Sequence, residues 1–243
     1  MISRQKMPGS RRYACARKLP ATISKISNED SAMELRSRFS EVVTSEAEFR
    51  AVTGEPSALV TKKELSAIDA HARAFIAKSP FILVGTCGAD GRMDLSPKGD
   101  PPGFVQVLDE TTLAIPDRLG NRRADTFTNL LSNDRIGLIF LIPGKQETLR
   151  IGGRAIIVRD LSLREGMAVG ERLPDFAIVV AVDQMFFHCA KCVIRSKLWK
   201  PESWQDLAGL PSLAETMVSA GNLNRSVTEV QAIVDKDAQT RLY

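Results

Sequence analysis

The chain has 243 residues, of which 44% are apolar, enough to build a substantial core, and it carries a net charge of only +4. No apolar run reaches the roughly 18–20 uncharged residues of a membrane span, and the first residues lack the apolar stretch of a secretory signal. Four cysteines, Cys15, Cys87, Cys189 and Cys192, are too few for a disulfide framework at this length, which points to a reducing, cytoplasmic compartment.

The charge is unevenly divided. Residues 1–32 hold seven Lys or Arg against Glu29 and Asp30, so the remaining residues carry 26 basic and 27 acidic side chains. A basic body suited to nucleic acid is therefore not supported. The arm MISRQKMPGSRRYACARKLP has no apolar period, and disorder is expected over 1–32. A transit peptide, a polyanion tether or an extension upstream of a true start near Met33 are its alternative readings.

Thr61-Lys-Lys-Glu64 has capping-box spacing, and Leu65, Ile68, Ala72, Phe75 and Ile76 recur at helical intervals, predicting a helix over about 62–78. Strand-like runs follow: FILVGTC (81–87), RMDLSP (92–97), FVQVL (104–108) and TTLAIP (111–116), with turn residues between them. A helix is predicted from 122 to about 131. RIGLIFLI, TLRIGGRAIIV, a short helical stretch near 162–170 and FAIVVAVDQMFFHC complete the series. Links this short allow antiparallel pairing and not parallel crossovers, so the fold class is mainly β with flanking helices, a closed or partly closed antiparallel barrel. LPSLAETMVSAGNL (210–223) reads as an amphipathic helix packing on it.

Neither G-x-G-x-x-G nor G-x-x-x-x-G-K-[ST] occurs, which removes the Rossmann and P-loop readings. The stretch IPDRLGNRRADTFTNL (115–130) remains, with Arg118, Arg122 and Arg123 crowded around a Gly-Asn turn before a helix. Asn121 is placed to cap that helix, whose first amides are unpaired donors, and Ala124, Phe127, Leu130 and Leu131 are placed to fix it against the sheet. The arginines either hold a phosphate at the helix start or decorate a solvated surface.

The run from FILVGTC through SPKGDPPGFV and PDRLGNRRAD to IGGRA, together with the later FFHCAKCVIRSKLW, resembles the FMN-binding split barrel of the pyridoxamine 5'-phosphate oxidase-related proteins, over about residues 40–215. The resemblance implies an antiparallel split β-barrel, which with an N-terminal helical segment is placed at 33–215; the tail at 216–243, outside the resemblance, is expected to be helical. It implies a homodimer with FMN in clefts at the subunit interface. Carried over by position, Arg118, Asn121, Arg122 and Arg123 would surround the FMN phosphate and Lys98 would approach it from the neighbouring strand. Ser96 and Pro97 would run beside the isoalloxazine, Thr148 and Arg150 would reach the ring, and Ser196, Lys197 and Trp199 would close the site from the partner chain, with interface packing or a solvated edge as the alternative reading.

True pyridoxamine phosphate oxidases end in a segment whose Arg and His help hold the substrate phosphate; here the chain runs RSKLWKPESWQDLAGLPSL instead. Vitamin B6 as substrate is therefore not implied, while FMN is. The expected function is an FMN-dependent oxidoreductase of unknown substrate and unknown catalytic residues; a flavin carrier or sensor without turnover, or a related barrel using deazaflavin or haem, is the alternative. Cys189 and Cys192 form a lone C-x-x-C beside His188, the spacing of a redox disulfide or half a zinc site; on a continuing strand they would point to opposite faces and converge only if Ala190-Lys191 makes a turn, so no metal site is expected. His71 and His188 read as structural, and Ser96 lacks the G-x-S-x-G elbow of a hydrolase.

Overall fold

A two-residue alternation of buried and exposed side chains builds the sheet. In β1 (Phe81–Cys87) Ile82, Val84 and Thr86 are buried, and in the strand Arg135–Leu141 so are Ile136, Leu138 and Phe140. The computed structural model describes residues 28–243. The expected arm at 1–32 thus lies outside the described residues, apart from 28–32, which begin helix α1 (Asn28–Ser37). By its internal contacts the chain forms two units, divided after Pro56. In the first unit, α1 is followed by α2 (Glu46–Thr53), where Ser45 accepts a hydrogen bond from the Glu48 amide and Glu48 accepts one from the Thr44 amide. No residue of α2 is buried.

The second unit holds α3 (Ala58–Thr61), α4 (Ala70–Lys78), β1, β2 (Met93–Gly99), β3 (Gln106–Val107), β4 (Thr112–Pro116), α5 (Asp125–Ser132), β5 (Arg135–Leu141), β6 (Thr148–Val158), α6 (Leu161–Glu165), β7 (Ala177–His188), α7 (Lys191–Ser196), α8 (Leu213–Gly221) and α9 (Val227–Thr240). All seven strands join one antiparallel sheet in the order β2-β1-β5-β6-β7-β4-β3. The mainly β, antiparallel class anticipated from the short connections is the one observed. Its inner face buries Ile82, Leu113, Ile115, Leu138, Phe140, Leu149, Ile151 and Ile178, closed by Ala72, Phe75 and Ile76 of α4. Each such large side chain contributes roughly 1.5–3 kcal/mol through burial.

Two helix starts differ from the sequence expectation for local reasons. The helix expected at 62–78 begins at Ala70, because Asp69 accepts from the Ala72 amide at 2.8 Å. Thr61 to Glu64 form no capping box; Leu65 instead makes a two-bond bridge to Met185 of β7 and leaves its side chain exposed. The helix expected from 122 begins at Asp125. Arg122 (φ 61°) and Ala124 (φ 54°) occupy the left-handed region, which no right-handed helix can contain. Asn121 does not cap it; its side chain accepts from the Arg123 amide at 3.0 Å. Leu131 is 81% exposed, and buried Thr126 and Asn129 face the sheet beside Leu130. The end of β7 also departs from expectation: after Cys189 the chain turns into α7, and Cys189 and Cys192 are both exposed free thiols.

The long β6–β7 pair breaks register between Gly152 and Gly153. A Cβ at Gly153 would stand 2.1 Å from the Ala181 carbonyl oxygen, so only glycine admits this close approach of two strand backbones. Gly153→Ala is expected to cost about 3 kcal/mol or more through displacement of the strand pair. Urea unfolding of the two proteins measures the difference, and equal midpoints would show that the bulge accommodates a methyl group.

Candidate functional site

One cleft of about 910 Å³ lies where β2, the 117–124 loop and the start of α5 meet, within the range of small-molecule sites. Alternation along β2 aims Asp94, Ser96 and Lys98 to the same side, directly across from Thr86, Val84 and Ile82 of β1. Helix α5 is fastened there by polar contacts. Thr126 Oγ1 donates to Asp94 Oδ2 at 2.7 Å, Ser96 Oγ donates to the same carboxylate oxygen at 2.9 Å, and Asn129 donates to Thr86 Oγ1 at 3.1 Å. The helix start and the loop before it are thereby held over Ser96 and Lys98. Leu119, Phe127, Leu131, Ile157 and Phe176 supply an apolar wall, with the Phe127 and Phe176 rings edge to face at 5.6 Å.

Four basic side chains, Lys98, Arg118, Arg122 and Arg123, line the cleft, and so do four carboxylates, Asp94, Asp117, Asp125 and Asp175. Which bases are already engaged decides its character. Arg123 pairs with Asp125 at 2.8 Å on the surface, where such a pair is worth little. Arg118 Nε donates at 2.5 Å to Asp100, whose side chain is 1% exposed. Among the described residues Lys98 and Arg122 make no ion pair. The cleft thus offers two uncommitted cations, the remaining donors of Arg118, and a loop bent through two left-handed residues, an arrangement that can receive an anionic group beside an apolar ring.

Of the residues anticipated from sequence, Ser96, Lys98, Arg118, Asn121, Arg122 and Arg123 come together here. Pro97 does not, because it faces the other side of β2, opposite Leu83. Thr148, Arg150, Ser196, Lys197 and Trp199 do not line this cleft within one chain. Arg150 instead stacks over Phe186, a ring that Lys63 also approaches, and Trp199 donates to the Lys145 carbonyl at 2.8 Å. Burial, reinforced by Arg150 and Lys63, holds the nearby His188 below its usual imidazole range. No group of three or more His, Cys, Asp or Glu side chains able to hold a metal occurs among the described residues.

Several site residues were missed. Asp94 carries a legible signal, since it shares its strand face with Ser96 and Lys98. Asp100 stands in the SPKGD string, but nothing local marks it as buried. Tyr243 has no local signal: its hydroxyl donates to Asp100 Oδ1 at 2.8 Å across 143 positions of sequence.

An antiparallel barrel with an anion-receptive cleft at its edge defines the class of protein. The family model for pyridoxamine 5'-phosphate oxidase matches residues 68–189, and the chain belongs to that family. The match contains every cleft-lining residue and excludes Ser196, Lys197, Trp199 and Tyr243. Similar solved structures include HupZ of Group A Streptococcus (20% identity over 49% of this chain and 93% of that one, TM-score 0.42). A putative pyridoxamine 5'-phosphate oxidase from Lactobacillus delbrueckii is similar at 16% identity over 51% and 98%, TM-score 0.42. An FMN-binding protein from Syntrophomonas wolfei is similar at 11% over 64% and 97%, TM-score 0.40. No curated protein matches the chain.

Asp117 gives the cleft a measurable pH signature. Burial pushes its carboxyl above the usual carboxylate range; Lys98 and Arg118 oppose this shift and Asp175 adds to it. The folded state therefore binds the proton more tightly than the unfolded chain. Stability is favoured below the unfolded value, about 3.9, and falls as pH rises through the folded value. Asp117→Asn is expected to raise the melting temperature at neutral pH and to lose that advantage in acid. Melting curves at both pH values check it, and a pH-independent difference would contradict it.

Proposed function

We propose that this protein binds FMN in the 117–126 cleft and acts as an FMN-dependent oxidoreductase on a substrate other than a B6 phosphate. The observation that carries this reading is the pairing, in one cleft, of the uncommitted cations Lys98 and Arg122 with the apolar wall of Leu119, Phe127, Ile157 and Phe176. The residues fit the group: an anion at the loop and a flat ring against the wall satisfy both halves of the lining. FMN supplies the hydride or single-electron chemistry, so the chain's task is to bind, orient and shield the ring. Lys98 and Arg122 hold the phosphate, Ser96 Oγ presents a polar atom along β2, and Phe127 and Phe176 exclude water. A cytoplasmic setting accompanies this reading.

Affinity for FMN is expected to exceed that for riboflavin, which lacks the phosphate. Charge-assisted hydrogen bonds are worth roughly 1.5–3 kcal/mol, so Arg122→Ala should weaken FMN about ten- to a hundredfold and leave riboflavin nearly unchanged. Arg123→Ala should have the smaller effect, because Asp125 already occupies its Nε. Fluorescence titrations of the parent and both variants with each flavin measure these affinities, and equal parent affinity for the two flavins would sink the phosphate reading. The visible spectrum of the purified protein separates FMN from deazaflavin or haem, and turnover with NAD(P)H and oxygen separates an enzyme from a carrier.

A homodimer belongs to the same proposal. Phe81, Leu83, Met93, Leu95 and Ile139 are exposed together on the outer face of β1, β2 and β5, with Leu95 74% exposed. A second copy covering this face would shield it and bring Thr148, Arg150, Ser196, Lys197 and Trp199 of one chain toward the cleft of the other. Leu95→Glu is expected to yield a folded monomer with weakened FMN affinity. Sedimentation decides the state, and a parent monomer holding stoichiometric FMN would contradict the interface.

A further inference from the structure

We infer that Tyr243 is a positioning residue for the anion end of the cleft, acting through Asp100 on Arg118. The inference rests on the proposed binding of a phosphate there and adds a residue that lies far outside the matched family segment.

Asp100 follows β2 directly, and its amide donates to the Pro80 carbonyl at 3.1 Å, so its backbone is fixed by the start of β1. Its carboxylate is almost wholly buried, a costly position for a charge unless both oxygens are satisfied. Arg118 Nε donates to one oxygen and the Tyr243 hydroxyl to the other. The Tyr243 ring also lies beneath the Arg118 guanidinium, with the carbon centre 5.6 Å from the ring centroid. Arg172 Nη1 in turn donates to the Tyr243 backbone oxygen, which ties residue 243 to the segment before Asp175 and Phe176 of the cleft wall.

The geometry has a directional consequence. With Nε committed to Asp100 and one face of the guanidinium covered by the ring, Arg118 has only its terminal nitrogens left to offer. Arg118 itself lines the cleft, and in the proposed arrangement those terminal donors stand at its edge. Loss of the Tyr243 hydroxyl leaves one oxygen of a buried carboxylate short of a donor. Asp100 then draws on further Arg118 nitrogens, and these turn away from the cleft. The segment around 243 thus sets how many Arg118 donors an anion can use. The Asp100 hydrogen bond also holds the Tyr243 phenol above its usual range, so the donor remains protonated at neutral pH.

The test is a double-mutant cycle of Tyr243→Phe and Arg118→Ala, read as FMN and riboflavin affinities together with hydrogen exchange at Arg118 Nε in the flavin-free protein. Tyr243→Phe keeps the ring and should weaken FMN about fivefold or more while sparing riboflavin. In the Arg118→Ala background it should have no further effect. A parent that prefers FMN, loses the preference with Arg118→Ala and keeps it with Tyr243→Phe overturns this inference while leaving the phosphate reading intact. An equal Tyr243→Phe effect in both backgrounds overturns it too, since Tyr243 would then act independently of Arg118. A parent without preference for FMN overturns both. Should the variant fold poorly, the parent decides: Arg118 Nε protected from exchange supports the lock, and exchange at the rate of a free guanidinium overturns it.

Discussion

The polar seam between α5 and the β1–β2 edge is the contact on which the cleft depends. Most helices dock on a sheet through apolar residues alone, but α5 turns Thr126 and Asn129 inward and bonds them to Asp94, Ser96 and Thr86. Such bonds are directional, so they fix the helix along and around its axis more narrowly than interdigitating leucines do. The loop before α5 consequently spans a set gap between the end of β4 and Asp125, and it does so by bending through Arg122 and Ala124. These two left-handed residues cost free energy that is recovered in the seam and the Phe127–Phe176 contact beside it.

The same constraint explains how the cleft is charged. Four bases and four acids would cancel in a solvated groove, yet three of the acids are set apart, leaving Asp175, which makes no ion pair or side-chain hydrogen bond among the described residues. Asp94 serves the seam, Asp125 holds Arg123, and Asp117 is held in a surrounding that disfavours its charge. The buried Asp100 behind the cleft wall takes Arg118. What remains is Lys98, Arg122 and the terminal nitrogens of Arg118 against the one carboxylate of Asp175. An anion site is thus made by commitment of carboxylates elsewhere rather than by an excess of positive charge, which fits a body whose overall charge is close to neutral.

Apolar patterning serves two surfaces at once. The inner face of β1, β5 and β6 forms the core, while the outer face of β1 and β2 carries Leu83, Met93 and Leu95 into solvent. In a strand the two faces alternate strictly, so a run such as FILVGTC, apolar at nearly every position, signals burial on one side and a covering requirement on the other. The free C-x-x-C at the end of β7 has no comparable explanation in the structure.

The sequence by itself determined the strands, because a two-residue period, short links and turn residues are local properties that survive without knowledge of neighbours. It also determined the family, through the spaced strings around Ser96, Arg118 and Phe186, and those strings named Ser96, Lys98 and the 118–123 arginines together, although four strands stand between β2 and β4 in the sheet and only the fold brings them to one cleft. Tertiary structure decided the rest. Thr61 to Glu64 satisfied a capping pattern, but pairing of Leu65 with Met185 claimed the backbone there. Leu131 fitted a helical stripe, but the partners available on β1 and β2 were polar, so Thr126 and Asn129 took the inner face. Arg118 and Arg123 looked equivalent to Arg122, and only the positions of Asp100 and Asp125 distinguish them. Tyr243 reaches Asp100 across 143 positions of sequence, and no local pattern encodes a hydrogen bond whose donor and acceptor meet only in the folded chain.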